Sequence, residues 1–162
     1  MDGVVETAIY HLKYRGIRGL AVPLARATAY ALGISSSRPH LLLGHNPVFI
    51  PVPLHSARLR ERGYNQASLI AKEFAAIAAM PFDDTILTRN RRTDSQVTTH
   101  SREERIQNMS GAFSVNDASE VRGKNFVIID DVRTTGATLE NCASALKESG
   151  AHTVSAITIA HG

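Results

Sequence analysis

Residues Phe126-Val127-Ile128-Ile129-Asp130-Asp131-Val132-Arg133-Thr134-Thr135-Gly136-Ala137-Thr138 constrain the fold more than any other stretch of this chain. An apolar run without polar alternation predicts a strand buried on both faces, central and parallel. It ends in two adjacent carboxylates. A loop of small residues, Arg133 to Ala137, then leads into a helical pattern in which Leu139, Cys142, Ala143 and Leu146 share a face and Gly150 is the C-terminal cap. A buried strand that stops at such a loop delivers an anion site to the open edge of an α/β sheet. Nothing in the loop is bulky apart from the arginine, so its N–H groups can close round a phosphate. The hydroxyls of Thr134, Thr135 and Thr138 and the positive end of the helix add to that cradle.

Two acids beside a phosphate repel it unless they face something else. Sugar hydroxyls and a hydrated Mg²⁺ are suitable partners, since both require acidic acceptors. The segment therefore predicts a sugar phosphate, with phosphate on the loop and diol and metal on Asp130 and Asp131.

A second strand-to-helix junction lies upstream. Val48 to Val52 reads as a short strand, and Pro51 argues against a long ladder beyond Ile50. The segment from Leu54 to Gln66 follows as a basic loop containing Arg58, Arg60 and Arg62. Asn65 is then the predicted N-cap of a helix with Leu69, Ile70, Phe74 and Ile77 on one face. Arg60, Arg62 and the Gly63 backbone can hold a pyrophosphate, supported by Tyr64 and Asn65; the alternative is a basic surface loop with Tyr64 packed on the core.

Composition narrows the class. A chain of 162 residues with 43% hydrophobic content fits one globular domain. No apolar run is long enough for a membrane span, so no membrane insertion is expected. The start, Met1-Asp2-Gly3-Val4, lacks the basic-then-apolar pattern of a signal peptide. Cys142 is the single cysteine, which excludes an internal disulfide and a multi-cysteine zinc site; a reducing, cytoplasmic setting is the simplest expectation. Of the basic residues, lysine occurs only at Lys13, Lys72, Lys124 and Lys147. The remainder are arginines, the residue suited to bidentate phosphate contacts.

The 126–138 segment resembles the phosphoribosyl pyrophosphate (PRPP) motif of type I phosphoribosyltransferases. Val52-Pro53-Leu54-His55, followed by Arg-Leu-Arg-Glu-Arg-Gly-Tyr-Asn-Gln at 58–66, resembles the signature of the ComF family, competence-associated proteins on that fold. Leu12-Lys13-Tyr14-Arg15-Gly16, Gln96, 101–108 and Gly111 to Val115 agree with the same family, so the likeness covers nearly the whole chain. It implies an α/β, type I phosphoribosyltransferase-like fold with a mainly parallel central sheet flanked by helices. Residues 1–162 would form one domain, with a helical hood in 1–35 and a PRPP-binding core in 47–162.

The resemblance also implies roles. Asp130 and Asp131 would be catalytic, holding the ribose hydroxyls and Mg²⁺. Arg133, Thr134, Thr135, Gly136, Ala137 and Thr138 would hold the 5′-phosphate, and Arg60, Arg62, Gly63 and Asn65 the pyrophosphate. The polar stretch from Asn90 to His100 matches the flexible loop that closes over PRPP, with Gln96 and Arg91 or Arg92 reaching pyrophosphate; its alternative is a passive loop. Beside the strand at 48–52, strands are expected near 84–89, 112–115, 125–130 and 153–160, and a long loop from Gly33 to Asn46. Ser101 and Glu104 predict a capping box opening a short helix. The N-terminal helices would cover the acceptor side, or simply pack. ComF proteins commonly carry a zinc ribbon upstream of the Lys-Tyr helix. This sequence has no cysteines there, so no zinc is expected in it, and either a segment precedes it or this member lacks the ribbon.

In 6-oxopurine transferases an aspartate three residues past the second acid assists base deprotonation. Thr134 stands there, which disfavours hypoxanthine or guanine as acceptor. Three functions stay open: a PRPP-binding protein that handles single-stranded DNA in natural transformation, a Mg²⁺-dependent phosphoribosyltransferase with an unidentified small acceptor, or a sensor of PRPP or a related phosphosugar or nucleotide that binds without turnover.

Overall fold

The computed structural model describes residues 2–35, 45–90 and 111–162. Arg91, Arg92 and Gln96, the capping box at Ser101, and most of the long loop expected between Gly33 and Asn46 lie outside the described residues. Helices α1 (Asp2–Tyr14) and α2 (Ala21–Ala31) flank a 3₁₀ turn (Arg18–Leu20). Strand β1 (Val48–Pro51) leads to α3 (Ser56–Arg62) and α4 (Gln66–Ala78). The short strands β2 (Leu87–Arg89) and β3 (Phe113–Val115) precede β4 (Asn125–Arg133), α5 (Ala137–Glu148) and β5 (Thr153–His161).

The central sheet has the order β1-β4-β5, all parallel, and β2 and β3 form a separate antiparallel pair. The 126–133 run is thus the middle strand, paired on both sides, as its unbroken apolar pattern requires. Phe126 and Ile128 face a cluster with Cys142 and Leu146 of α5 and with Phe113 of β3. Val127 and Ile129 face the other cluster, built by Ile9, Leu12, Leu24 and Ala25 of the N-terminal helices and by Ile70, Phe74 and Ala78 of α4. Alanines on the facing sides of α2 and α4 allow close approach, and Phe74 stacks on Phe49 of β1 with ring centroids 6.3 Å apart. The result is a three-layer α/β/α unit.

Pro51 fits β1 because N–H groups alternate in direction along a strand. Phe49 N–H donates away from β4, to Pro81 O at 2.8 Å, while Val52 N–H donates to Ile129 O at 2.9 Å. The N–H that Pro51 lacks would have pointed away from β4, so the ladder loses nothing.

Three boundaries differ from the sequence reading. The strand expected over 84–89 is confined to 87–89, because Asp83 accepts from Thr85 N–H at 2.8 Å and bends the chain into an Asx turn. The paired strand at 125–130 extends through both acids to Arg133, against β5. The stretch read as a basic loop is instead largely helix α3, capped at its start by His55 Nδ1, which accepts from Ala57 N–H at 3.2 Å.

Candidate functional site

Strand alternation sends Asp130 and Asp131 towards opposite faces of the sheet, yet both line one cavity of about 150 Å³ at its C-terminal edge. Each uses Oδ1 on the next main-chain N–H: Asp131 N–H donates to Asp130 Oδ1 at 2.9 Å, and Val132 N–H to Asp131 Oδ1 at 3.0 Å. The second oxygen of Asp131 faces Lys13. Asp131 is 3% exposed, and its Oδ2 accepts no hydrogen bond. A cation stands beside it instead: Lys13 Nζ of α1 forms an ion pair with Oδ2 at 2.6 Å. Burial, and then the neighbouring Asp131 carboxylate, raise Asp130 from 3.8 to about 7.

The turn after β4 is short. Gly136 takes the left-handed conformation with φ 84° and starts α5; Glu140 N–H is the first to reach its carbonyl, at 3.0 Å. A Cβ at Gly136 would meet Arg133 Nε at 3.2 Å, because the guanidinium lies against the glycine. Thr134 and Thr135 are exposed, and Thr138 lines the acid cavity. Ala137 N–H donates to Thr135 Oγ1 at 3.4 Å and Gly136 is buried under Arg133, so what the turn exposes is Thr134 and Thr135, at a helix N-terminus beside two carboxylates.

Arg58 and Arg62, one helical turn apart on α3, reach the same cavity, as does Arg89 at the end of β2. Arg60 faces outward and lines neither this cavity nor its larger neighbour of about 310 Å³. Arg62 donates to Gln66 Oε1, which holds the guanidinium in place. Asn65 has a structural role: Oδ1 accepts from Ala67 N–H at 3.0 Å, capping α4, and Nδ2 donates to Val52 O at 2.9 Å, tying that cap to β1. Gly63 ends α3 in the left-handed region at φ 77°, beside an Arg18 guanidinium nitrogen.

The profile of the phosphoribosyl transferase domain family matches residues 59–162, which contain β4, its two acids and the Gly136 turn. The chain belongs to that family. DNA utilization protein YhgH of Salmonella typhimurium is 32% identical over 146 residues, 90% of this chain and 62% of the relative. Competence protein F of Haemophilus influenzae is 34% identical over 62% of this chain and 44% of the relative. Competence protein ComFC of Bacillus subtilis is 34% identical over 69% of this chain and 43% of its own length. Within the phosphoribosyltransferases this is thus a ComF-family protein, and it spans less than two thirds of the length of these relatives. Among solved structures, glutamine PRPP amidotransferase of B. subtilis aligns with 86% of this chain and 26% of its own at TM-score 0.56 and 20% identity. The allosteric regulatory enzyme of purine biosynthesis covers 86% of this chain and 25% of its own at TM-score 0.54 and 22% identity. At such identities the likeness establishes the fold alone.

In this ComF-family fold, the N-terminal helices both pack and reach the site. Ile9 and Leu12 are buried in the core, while Lys13 and Tyr14 line the acid cavity. The Tyr64 hydroxyl donates to Leu12 O, and the Arg18 guanidinium covers the Tyr64 ring at 4.6 Å, so α1 is fastened to the start of α4. Tyr64 is thereby a buried brace. The sequence reading missed Lys13 as the counter-charge of Asp131; the signal available was a lysine at a helix end in an arginine-rich chain. Cys142 is buried beneath the acids, and burial together with the Asp130 charge pushes its thiol up to about 12, leaving it inert.

Among the described residues, no three His, Cys, Asp or Glu side chains converge as a metal cage. Two adjacent carboxylates on one cavity suit a hard divalent cation that takes its other ligands from a bound phosphate and water, with Lys13 giving up Asp131 Oδ2. No described helix is long and apolar enough to cross a membrane.

Proposed function

We propose that the protein binds PRPP where β4 turns into α5. The observation that carries this reading is the coincidence, on one strand end, of two carboxylates lining one cavity, one of them paired with Lys13, and a left-handed glycine turn with Thr134 and Thr135 exposed. Thr134 to Thr138, with Arg133, hold the 5′-phosphate. Asp130 and Asp131 hold the ribose hydroxyls, and Arg62, together with the neighbouring Arg58, receives the pyrophosphate. Lys13 shields the incoming phosphates from Asp131 in the free protein. Mg²⁺ bound at the acids and the ligand would neutralise charge on the departing pyrophosphate.

The relatives named for competence and for DNA utilization support a link to DNA uptake; single-stranded DNA, handled in the cytoplasm, is the partner proposed on that link. One observation favours a second reading, that of a transferase acting on a small acceptor. An acid poised at about 7 beside the cavity can take a proton from a nucleophile near neutral pH.

Calorimetry with PRPP and Mg²⁺ tests the binding assignment. Wild type binds, and Asp131→Ala loses binding while its far-ultraviolet dichroism is unchanged; equal affinity in the variant contradicts the role given to the acids. Pyrophosphate release with a panel of amine and base acceptors separates the readings. Release marks a transferase, and binding without release marks a sensor or DNA-handling protein.

A further inference from the structure

Tyr10 and Tyr14 stand one turn apart on α1, 49% and 64% exposed, with ring centroids 5.1 Å apart. Two large aromatic side chains left in water on one helix edge are not core residues that missed their place; the buried edge of α1 is supplied by Ile9 and Leu12. The tyrosines also have cations beside them. The Arg62 guanidinium lies 5.5 Å from the centre of the Tyr14 ring, and Arg58 shares the adjoining cavity of about 310 Å³ with Tyr14, Arg62 and Lys13. On the other side of the tyrosines lies a second hollow of about 200 Å³. The acids on this surface are Glu61 at the first hollow and Glu6 at the second; Asp131 is already paired with Lys13.

Tyr30 shows the contrast. It is 90% exposed on α2, without a ring or guanidinium partner among the described residues, as an incidental surface tyrosine is. The Tyr14 edge is also held in position, because the Tyr64 hydroxyl anchors Leu12 O and Arg62 is fixed by Gln66.

We infer that the α1 edge carrying Tyr10 and Tyr14 is a stacking surface for the bases of a single-stranded polynucleotide whose phosphates run along Arg58 and Arg62. Aromatic faces beside a cationic track are what sequence-independent binding of single strands requires, since every base has a face to stack and every linkage a charge. Two rings one turn apart offer two base positions, so the surface fits linked nucleotides better than a single one. The inference deepens the DNA-linked part of the proposed function; the surface adjoins the phosphosugar site and shares Tyr14, Arg58 and Arg62 with its cavity, whereas Tyr10 lies outside that cavity.

The chain contains tyrosine but no tryptophan, so tyrosine emission is directly readable. Titration with oligothymidylate of about 12 nucleotides should quench that emission saturably, whereas thymidine monophosphate should need far higher concentrations. Tyr10→Leu and Tyr14→Leu should each weaken oligonucleotide affinity about tenfold. Tyr14→Phe should keep wild-type affinity, and Tyr30→Leu should change nothing. Because these side chains are exposed, melting temperatures should stay within a few degrees, and PRPP affinity should be unaltered in Tyr10→Leu. Wild-type oligonucleotide affinity in the Tyr10→Leu/Tyr14→Leu double variant, or affinity that responds to Arg62→Ala and salt alone, overturns the inference. If wild type binds PRPP but no oligonucleotide at low salt, this surface and the DNA link both fall while the phosphosugar site stands. Oligonucleotide binding without PRPP binding gives the reverse.

Discussion

At the end of β4 the chain turns through Thr134, Thr135 and Gly136 into α5 and leaves the two threonines exposed. At the end of β1 it inserts α3 and commits its polar side chains to its own structure: His55 caps α3, Asn65 caps α4 and Gln66 accepts from Arg62. Both junctions are strand-to-helix turns at the same edge of one sheet, but they offer different chemistry. The first presents amides, hydroxyls and acids fixed by the strand. The second presents guanidiniums on long side chains, held by one helix face. A ligand with a phosphate at one end and a pyrophosphate at the other is served by that division, since the rigid turn fixes its position and the arginines meet the more extended charge.

The largest expected difference between the two junctions is in pH response. Arginines do not titrate in the accessible range, whereas Asp130 is raised to about 7 in the folded protein. Its neutral form favours folding, so the contribution is fully present below about pH 4 and is lost as pH rises through 7, by about 4 kcal/mol at most. Urea midpoints measured between about pH 4 and 8 should fall along that limb in wild type and flatten in Asp130→Asn; parallel curves would contradict the buried acid as the source.

Next in size is the turn itself. Gly136→Val places a branched side chain at φ 84° and against Arg133. It should cost about 1–3 kcal/mol of stability and more than about 100-fold in PRPP affinity. Retained affinity would mean that the ligand does not use this turn. A smaller effect distinguishes two arginines of α3. Arg62→Ala should weaken PRPP by about tenfold and Arg60→Ala by less than about twofold, in calorimetry at constant salt, because only Arg62 lines the cavity. Equal losses would remove the helical geometry from the account. The smallest effect is structural: Asn65→Ala, which uncaps α4, should lower stability by about 1 kcal/mol while leaving the β4 turn competent.

Much of this was readable in the chain. The unbroken apolar run to Ile129 specified a central strand, and the acids and small loop specified what that strand carries. The α4 cap was legible because Asn65 precedes a clear 3–4 repeat. Helix α3 was not, for a physical reason: its one large apolar residue, Leu59, is 43% exposed, so the segment has no buried face to generate a period. His55 is also an uncommon cap. A buried Tyr64 was one of the two readings of its segment, but its partner Leu12 O and the pairing of Lys13 with Asp131 were not legible, because they join residues far apart in sequence through tertiary packing. The bend at Asp83 shows the opposite case, a local signal in Asp-Asp-Thr that was legible as a turn and was read as strand.

The central claim is that a ribose-bound phosphate is held by the backbone between β4 and α5. Amide hydrogen exchange, with and without PRPP and Mg²⁺, reads that backbone residue by residue. The account predicts that exchange at Thr134, Thr135, Gly136, Ala137 and Thr138 slows markedly on binding. Binding that leaves these amides unchanged and protects another segment would contradict it.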